Sequence, residues 1–214
     1  MAVYFDISIS LDGFAAGPDQ SPDQALGRRG EELHEWVYDL VSFHQMHGRA
    51  VEGERTIDDE VLTEAMTRAG AFVMGRGMFG GGPGPWGEEP WAGWWGDDPP
   101  YHAPVFVLTH HPREPLVKEG GTTFHFVTDG IESAVEQARA AAGGKDVQVS
   151  GGADAIQQAL RAGVVDDGQV HIAPILLGAG RRLFDRLDEA DIRLEKTRVI
   201  DSPLVTHLAY RVVR

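Results

Sequence analysis

Residues 71–82 read AFVMGRGMFGGG, and residues 147–160 read VQVSGGADAIQQAL. Each begins as a short apolar run suited to a strand and breaks at glycine, and the second continues with Ile156 and Leu160 spaced for one face of a helix. A strand that leaves its sheet through glycine into a helical turn aims unpaired backbone N–H groups, and the positive end of the helix dipole, beyond the strand end. Without a Cβ, glycine also lets a pyrophosphate reach the main chain. For either glycine pair alone, simple turn geometry is the plainer explanation. Two such junctions on neighbouring parallel strands, Gly75-Arg76 and Ser150-Gly151-Gly152-Ala153, favour phosphate, with Arg76 adding a charge-assisted contact.

Working outward, residues 3–11, VYFDISISL, alternate in polarity and predict a first strand ending at Asp12-Gly13. Segment 15–30 collects Gly, Pro, Asp and Ser and reads as a mobile loop. Leu33, Trp36, Val37 and Leu40 share a helical face, predicting a helix from Glu31 to near Gly48, and residues 58–69 predict a second. Strands follow at 105–109 and 122–127, then a helix over 131–142 with Asp129-x-x-Glu132 as its capping box. A long apolar strand is expected over 170–178, and IRLEKTRVI and LVTHLAYRVV, joined by Asp201-Ser202-Pro203, read as a terminal hairpin. Strands alternating with helices imply an α/β fold with a central mixed, mostly parallel sheet flanked by helices and an antiparallel C-terminal hairpin. Residues 1–214 are expected to make a single domain, with a Trp/Gly/Pro-rich insertion at about 80–104.

Composition narrows the function. With 19 basic against 33 acidic residues, the formal charge of −14 repels nucleic acid and anionic membranes, so an anionic ligand must be held by local geometry. The absence of cysteine excludes disulfides, thiolate nucleophiles and Cys-ligated metals. No apolar run is long enough to span a bilayer, and the N-terminus reads as a strand at once, which predicts a cytoplasmic protein.

The third strand end, Thr109-His110-His111-Pro112-Arg113, offers a hydroxyl, two imidazoles and a guanidinium in place of the acidic residue that grips an NAD ribose. It suits a 2′-phosphate and hence NADP, although two histidines in an exposed loop fit the same sequence. His44-x-x-His47 shares a helical face but has no third ligand nearby, so no metal site is assigned. No serine sits at a nucleophile elbow better explained by acyl chemistry than by a phosphate turn. Four of the five tryptophans fall between Trp86 and Trp95, where they read as a docking surface, a lid over an aromatic ligand, or the packing of a long loop.

The order of ISISLDGFAAG, AFVMGRGMF, PVFVLTHHPR, VQVSGGADAIQQAL and VHIAPILLGAGRRLF resembles the dihydrofolate reductase-like superfamily, specifically the branch of the riboflavin-biosynthesis reductase domain. The resemblance runs from about residue 2 to residue 214 and implies a sheet of about eight strands binding NADPH across its strand ends. It implies that Gly75, Arg76, Ser150, Gly151, Gly152 and Ala153 face the phosphates and that Thr109 and His110 lie on the adenosine side. Ser8, Gly13 and Phe14 would stand beside the nicotinamide, and Leu177 and Gly178 would close the substrate pocket, to which Trp86 is added from the insertion. Asp12 is the carboxylate expected near the reacting end, donating a proton directly or through water with its pKa raised by partial desolvation, unless it simply makes the Asp-Gly turn. The expected activity is NADPH-dependent hydride transfer to a pyrimidine-, pteridine- or imine-like molecule in a homodimer. The alternatives are an NADP(H)-binding module with the tryptophan loop as a partner surface, and a protein that keeps the fold without the dinucleotide. The sequence lacks the deaminase half of the bifunctional riboflavin enzyme, and GEELHEWVYDL does not align its carboxylates with the one that holds the pterin ring in dihydrofolate reductase.

Overall fold

A computed structural model describes residues 1–53, 55–187 and 190–213. In chain order the elements are β1 (Val3–Ser10), β2 (Phe14–Ala16), a 3-10 turn (Gly30–His34), α1 (Glu35–Tyr38), α2 (Val41–Met46), α3 (Ile57–Arg68), β3 (Ala69–Gly75), α4 (Arg76–Phe79) and β4 (Pro104–Leu108). There follow β5 (Leu116–Val117), β6 (Thr123–Val127), α5 (Ile131–Ala141), β7 (Asp146–Gly151), α6 (Ala153–Arg161), β8 (Asp167–Ala173), β9 (Arg181–Arg182), β10 (Arg193–Asp201) and β11 (Thr206–Val213). Among the described residues the main sheet has nine strands in the order β10-β11-β8-β1-β7-β3-β4-β6-β5, and β2 pairs separately with β9.

The six strands from β8 to β6 are mutually parallel, while β11 and β5 run against them at the two sides and β10 pairs antiparallel with β11 at the edge. The mixed, mostly parallel sheet expected from the sequence is therefore present, terminal hairpin included. Strand alternation divides the side chains between two layers. Val3, Phe5, Ala71, Val73, Phe106, Val147 and Val149 pack against α5 and α6. Tyr4, Phe72, Met74, Val105, Val107 and Phe124 face the other way, toward the tryptophan-bearing insertion.

Three predicted elements differ. The helix expected from Glu31 to Gly48 is broken into the 3-10 turn, α1 and α2, with Leu40 extended between them (φ −71°, ψ 138°). Leu40, Val41 and Ser42 are all buried, and three consecutive residues cannot share one face of a straight helix. The Asp129 capping box does not form, because Gly130, at φ +91°, is the cap residue and no side chain caps α5. The strand expected over 170–178 stops at Ala173, where Pro174 follows and Ile175 N–H turns back to the Ala173 carbonyl.

The insertion is held by its aromatics. Phe79, fully buried, lies edge-on to Phe124, Phe126 and Trp86, with centroids 5.1–5.9 Å apart, and its carbonyl accepts from Trp91 Nε1 at 2.8 Å. Gly80, at φ +90°, has no room for a Cβ, which would meet Trp94 Nε1 at 2.7 Å and Trp91 Nε1 at 2.9 Å. Gly80–Gly82 thus begin the insertion, and Gly80 and Gly81 are bare because tryptophan side chains lie against them. Of the three readings of the tryptophan stretch, loop packing is the one these contacts describe. Replacing Phe79 with Ala is expected to cost about 3–5 kcal/mol. Urea unfolding followed by tryptophan emission checks this, with the midpoint falling well below that of the parent protein.

Candidate functional site

Because β8, β1, β7, β3, β4 and β6 are parallel, their carboxyl ends lie along one edge. In the middle of that edge Met74 pairs with Gly151 and Gly75 with Leu108, so the two glycine junctions are neighbours. A Cβ on Gly75 would stand 3.6 Å from Ala155 Cβ and 3.8 Å from the Gly151 carbonyl. Beyond Gly151, α6 starts at Ala153 with Gly152 as its cap and no side chain covering its first N–H groups. A Cβ on Gly152 would meet nothing within 4 Å, and the buried Ser150 Oγ has no hydrogen-bond partner. These features are a bare, donor-rich cradle beside an unfilled polar side chain, and they fit a phosphate-bearing group.

Arg76 does not reach into that cradle. Its Nε donates to the Gly80 carbonyl at 3.0 Å, its Nη2 to Gly81 and Gly84, and its Nη1 to Thr109 Oγ1 at 3.3 Å. The guanidinium lies 3.1 Å above the Trp86 ring. Arg76 thus leaves the position expected from sequence because the carbonyls of the insertion compete for its donors. Arg113 approaches the same indole at 4.8 Å and donates to the Trp91 carbonyl. Burial lowers the pKa of both guanidiniums, and the charge of Arg113 lowers that of Arg76 further. Among the described residues neither has a carboxylate partner. Thr109 is buried and occupied by the turn, accepting from His111 N–H at 3.1 Å, while His110 is exposed.

At the other end, Asp12 follows β1. Its carboxylate accepts from Ser10 Oγ at 2.5 Å, Leu177 N–H at 3.1 Å and Gly178 N–H at 2.7 Å, and Ser10 Oγ in turn accepts from Phe14 N–H. Arg182 stacks on Phe14 and donates to the Asp12 carbonyl, which closes this mouth beside Gly13. Partial burial is the largest single influence on Asp12 and raises its pKa, but the hydrogen bonds from Ser10, Gly178 and Leu177 together outweigh it and bring the value to about 2. The raised-pKa proton donor expected here is corrected: Asp12 is an ionised acceptor that pins the loop after β8 to the end of β1.

Trp86 is also separated from Leu177 and Gly178. It sits over β3, β4 and β6, whereas Leu177 and Gly178 lie at the β1–β8 end. β4 is three strands from β1, about 14 Å at ordinary strand spacing. The edge therefore has a cationic, aromatic end, a bare central cradle and a mouth tied by Asp12. A cavity of about 660 Å³ lined by Gln45, Arg55, Tyr101 and Lys145 lies at the opposite, amino edge, away from these residues.

Sequence reasoning missed a buried chain on the face of β1 that carries Ser8. His171 Nε2 lies 2.8 Å from Asp6 Oδ1, His171 Nδ1 lies 2.6 Å from His207 Nδ1, and His207 Nε2 lies 2.8 Å from Asp58 Oδ1. Trp36 packs on both imidazoles and donates from Nε1 to Ser8 Oγ. The available signal was a polar side chain inside each of three strands and one near the start of a helix, but nothing in their spacing says that they meet. No group of three or more His, Cys, Asp or Glu among the described residues is arranged to hold a metal ion, and His47 turns its Nδ1 to the Phe43 carbonyl. Nor, among those residues, is any helix long and apolar enough to cross a membrane.

With this geometry in place, comparison identifies the family. Residues 2–206 match the RibD C-terminal domain, and the chain belongs to that family, which points to an oxidoreductase. A protein of Shewanella sp. PV-4 described as a riboflavin biosynthesis protein shares the fold with a TM-score of 0.62 at 23% identity, each chain covered in full. The riboflavin biosynthesis reductase of Saccharomyces cerevisiae aligns with a TM-score of 0.55 at 13% identity, over 100% of this chain and 89% of that one. A Thermotoga maritima deaminase/5-amino-6-(5-phosphoribosylamino)uracil reductase gives 0.55 at 16% identity; 98% of this chain aligns, spanning 56% of that longer protein. No curated protein matches significantly.

The Asp12 geometry has a pH signature. A carboxyl held at about 2 instead of its ordinary 3.8 stabilises the folded state above 3.8 and gives that stabilisation up as pH falls toward 2. Asp12→Asn is expected to lower Tm at neutral pH by roughly 2–8 °C and to flatten the acid limb of the Tm–pH curve in that window. Parallel acid limbs for the two proteins would contradict the assignment.

Proposed function

We propose that the protein is an NADPH-dependent reductase that reduces a C=N or C=O bond in a small pyrimidine-, pteridine- or imine-like molecule, in the manner of a 5-amino-6-(5-phosphoribosylamino)uracil reductase. The observation that carries this reading is the nearness of Gly75 and Gly151 at the centre of the strand-end edge, where Gly151 pairs with Met74 and a Cβ on Gly75 would stand 3.8 Å from the Gly151 carbonyl, with the uncovered start of α6 directly behind. Membership of the RibD C-terminal family supports it.

In this reading the first N–H groups of α6, the open space at Gly152 and the unpartnered Ser150 hydroxyl receive the pyrophosphate. When bound, the cofactor supplies the hydride. Two guanidiniums converge on Trp86 without a carboxylate among the described residues, in a chain of net charge −14. Held this close, they repel each other and lose solvation, and a 2′-phosphate relieves both costs. That is the reason to prefer NADPH to NADH. Ser8 and Phe14 border the reacting end, and the Asp12 clasp fixes Leu177 and Gly178 there, excluding water from one side of the substrate.

Thermal shift should show stabilisation by NADPH well beyond that by NADH, and NADPH absorbance should fall when 5-amino-6-(5-phosphoribosylamino)uracil is supplied. No shift with either nucleotide would remove the reading. Arg113→Gln is expected to weaken NADPH binding by about 10–100-fold, the worth of one charge-assisted contact, and to leave NADH binding within about twofold. Equal losses for both nucleotides would place Arg113 away from the 2′-phosphate.

A further inference from the structure

The cavity of about 660 Å³ at the amino edge plays no part in the strand-end site, and its volume is that of a small-molecule pocket. It is formed by the start of β3, by α2 and α3, by the carboxyl end of α5 and by the end of the insertion at residues 100–103. Its apolar part is made by Met46, Leu62, Met66 and Tyr101, all half-buried. Thioether side chains adapt to a guest and favour contact with an aromatic ring. The Tyr101 ring is fixed on its protein side, edge-on to Phe72, Trp95 and Phe124 at 4.9, 5.2 and 6.2 Å. Burial raises the pKa of its hydroxyl, which therefore stays protonated, and no residue among those described hydrogen-bonds to it. An acceptor brought to that hydroxyl replaces hydration that burial has removed.

The charge of the cavity has one sign. Arg55 and Lys145 line it, and among the described residues no Asp or Glu does, in a chain with 33 acidic residues and a net charge of −14. Arg55 Nη2 donates to Gln45 Oε1 at 2.6 Å and Lys145 Nζ to the Thr67 carbonyl at 3.3 Å. Neutral acceptors of this kind position a cation without cancelling its charge. His102, also at the cavity, is held by the Gly120 carbonyl beside Asp98. The carboxyl ends of α3 and α5 would repel an anion through unanswered carbonyls, but these are already occupied. Tyr4 Oη donates to the Ala65 carbonyl, Lys145 to that of Thr67, Ala142 N–H to that of Arg139 and Lys145 N–H to that of Ala142.

We propose that this cavity is a second ligand site, which binds a small planar aromatic carboxylate separately from the nucleotide and substrate at the strand-end edge. The ring of the ligand packs on Met46, Met66 and Tyr101. Its carboxylate accepts from the Tyr101 hydroxyl within the field of Arg55 and Lys145. A neutral ring would fill the apolar part and leave both cations unanswered, and a small inorganic anion would leave the apolar part wet. Binding there stands independently of the reductase reading.

Methionines placed at both sites make the test local. Met46 and Met66 line this cavity, Met78 lies at the strand-end edge with its sulfur 3.6 Å from where a Cβ on Gly151 would stand, and Met74 is fully buried in β3. The full chain is labelled with ¹³C at its methionine methyls, assigned by Met→Leu variants, and titrated with 2-naphthoate. The Met46 and Met66 signals are expected to shift saturably with a Kd below about 1 mM, while Met78 stays in place. The alcohol 2-naphthylmethanol, which has the same ring without the charge, is expected to bind about 10-fold more weakly. Arg55→Gln, Lys145→Gln and Tyr101→Phe, the last keeping the ring packing, are each expected to weaken 2-naphthoate by about 3–10-fold. An unchanged Met74 signal in each variant reports that the core is intact. Millimolar 2-naphthoate that leaves Met46 and Met66 unmoved, or moves Met78 alone, would overturn the site. Equal affinity for the acid and the alcohol, or full affinity in all three variants, would overturn the carboxylate assignment.

Discussion

Six neighbouring strands point the same way, and the arrangement of the site follows from that constraint. Parallel pairing of β1 with β7 and β8, and of β3 with β7 and β4, places every strand end on one edge. Parallel strands need crossovers, and the crossover helices α5 and α6 cover one face while the insertion and α3 cover the other. The sheet's backbone bonds are satisfied internally, so the free donors are concentrated where the strands stop, at the start of α6.

Charge is distributed to suit that edge. The chain is strongly acidic, yet Arg76 and Arg113 converge over Trp86, fixed by the carbonyls of Gly80, Gly81 and Trp91. Carbonyls hold a guanidinium in place without neutralising it, which leaves its charge available to an anion. The tryptophan insertion is in this sense part of the site, since it positions two cations that the rest of the sheet would not. At the opposite edge Arg68 does the reverse: its fork is spent on Asp167 and Asp146 over the Tyr4 ring, tying the amino ends of β7 and β8 to α3.

The histidine chain is an uncommon use of core volume. Two imidazoles and a carboxylate buried where aliphatic side chains would pack are costly unless they are hydrogen-bonded, and contacts of 2.8, 2.6 and 2.8 Å link Asp6, His171, His207 and Asp58 into one chain. Trp36 lies against both rings, with centroids 4.8 Å from His171 and 5.0 Å from His207.

The sequence by itself determined the order of the strands and helices, the parallel core with its antiparallel hairpin, and the two glycine junctions, because alternation, helical spacing and bare backbone are local properties that the chain displays in one dimension. It misjudged the helix after Glu31, the cap at Asp129 and the end of β8, each a place where burial or a single backbone angle overrode local preference. Tertiary structure alone decided what the polar side chains do. Asp12 becomes a clasp because Leu177 and Gly178, far along the chain, bring their N–H groups to it. Arg76 turns from the phosphate cradle because loop carbonyls lie closer, and Asp6, Asp58, His171 and His207 form one chain because three strands and a helix converge. Hydrogen bonds between residues so distant in sequence depend on register and on competition for partners, neither of which a local pattern encodes.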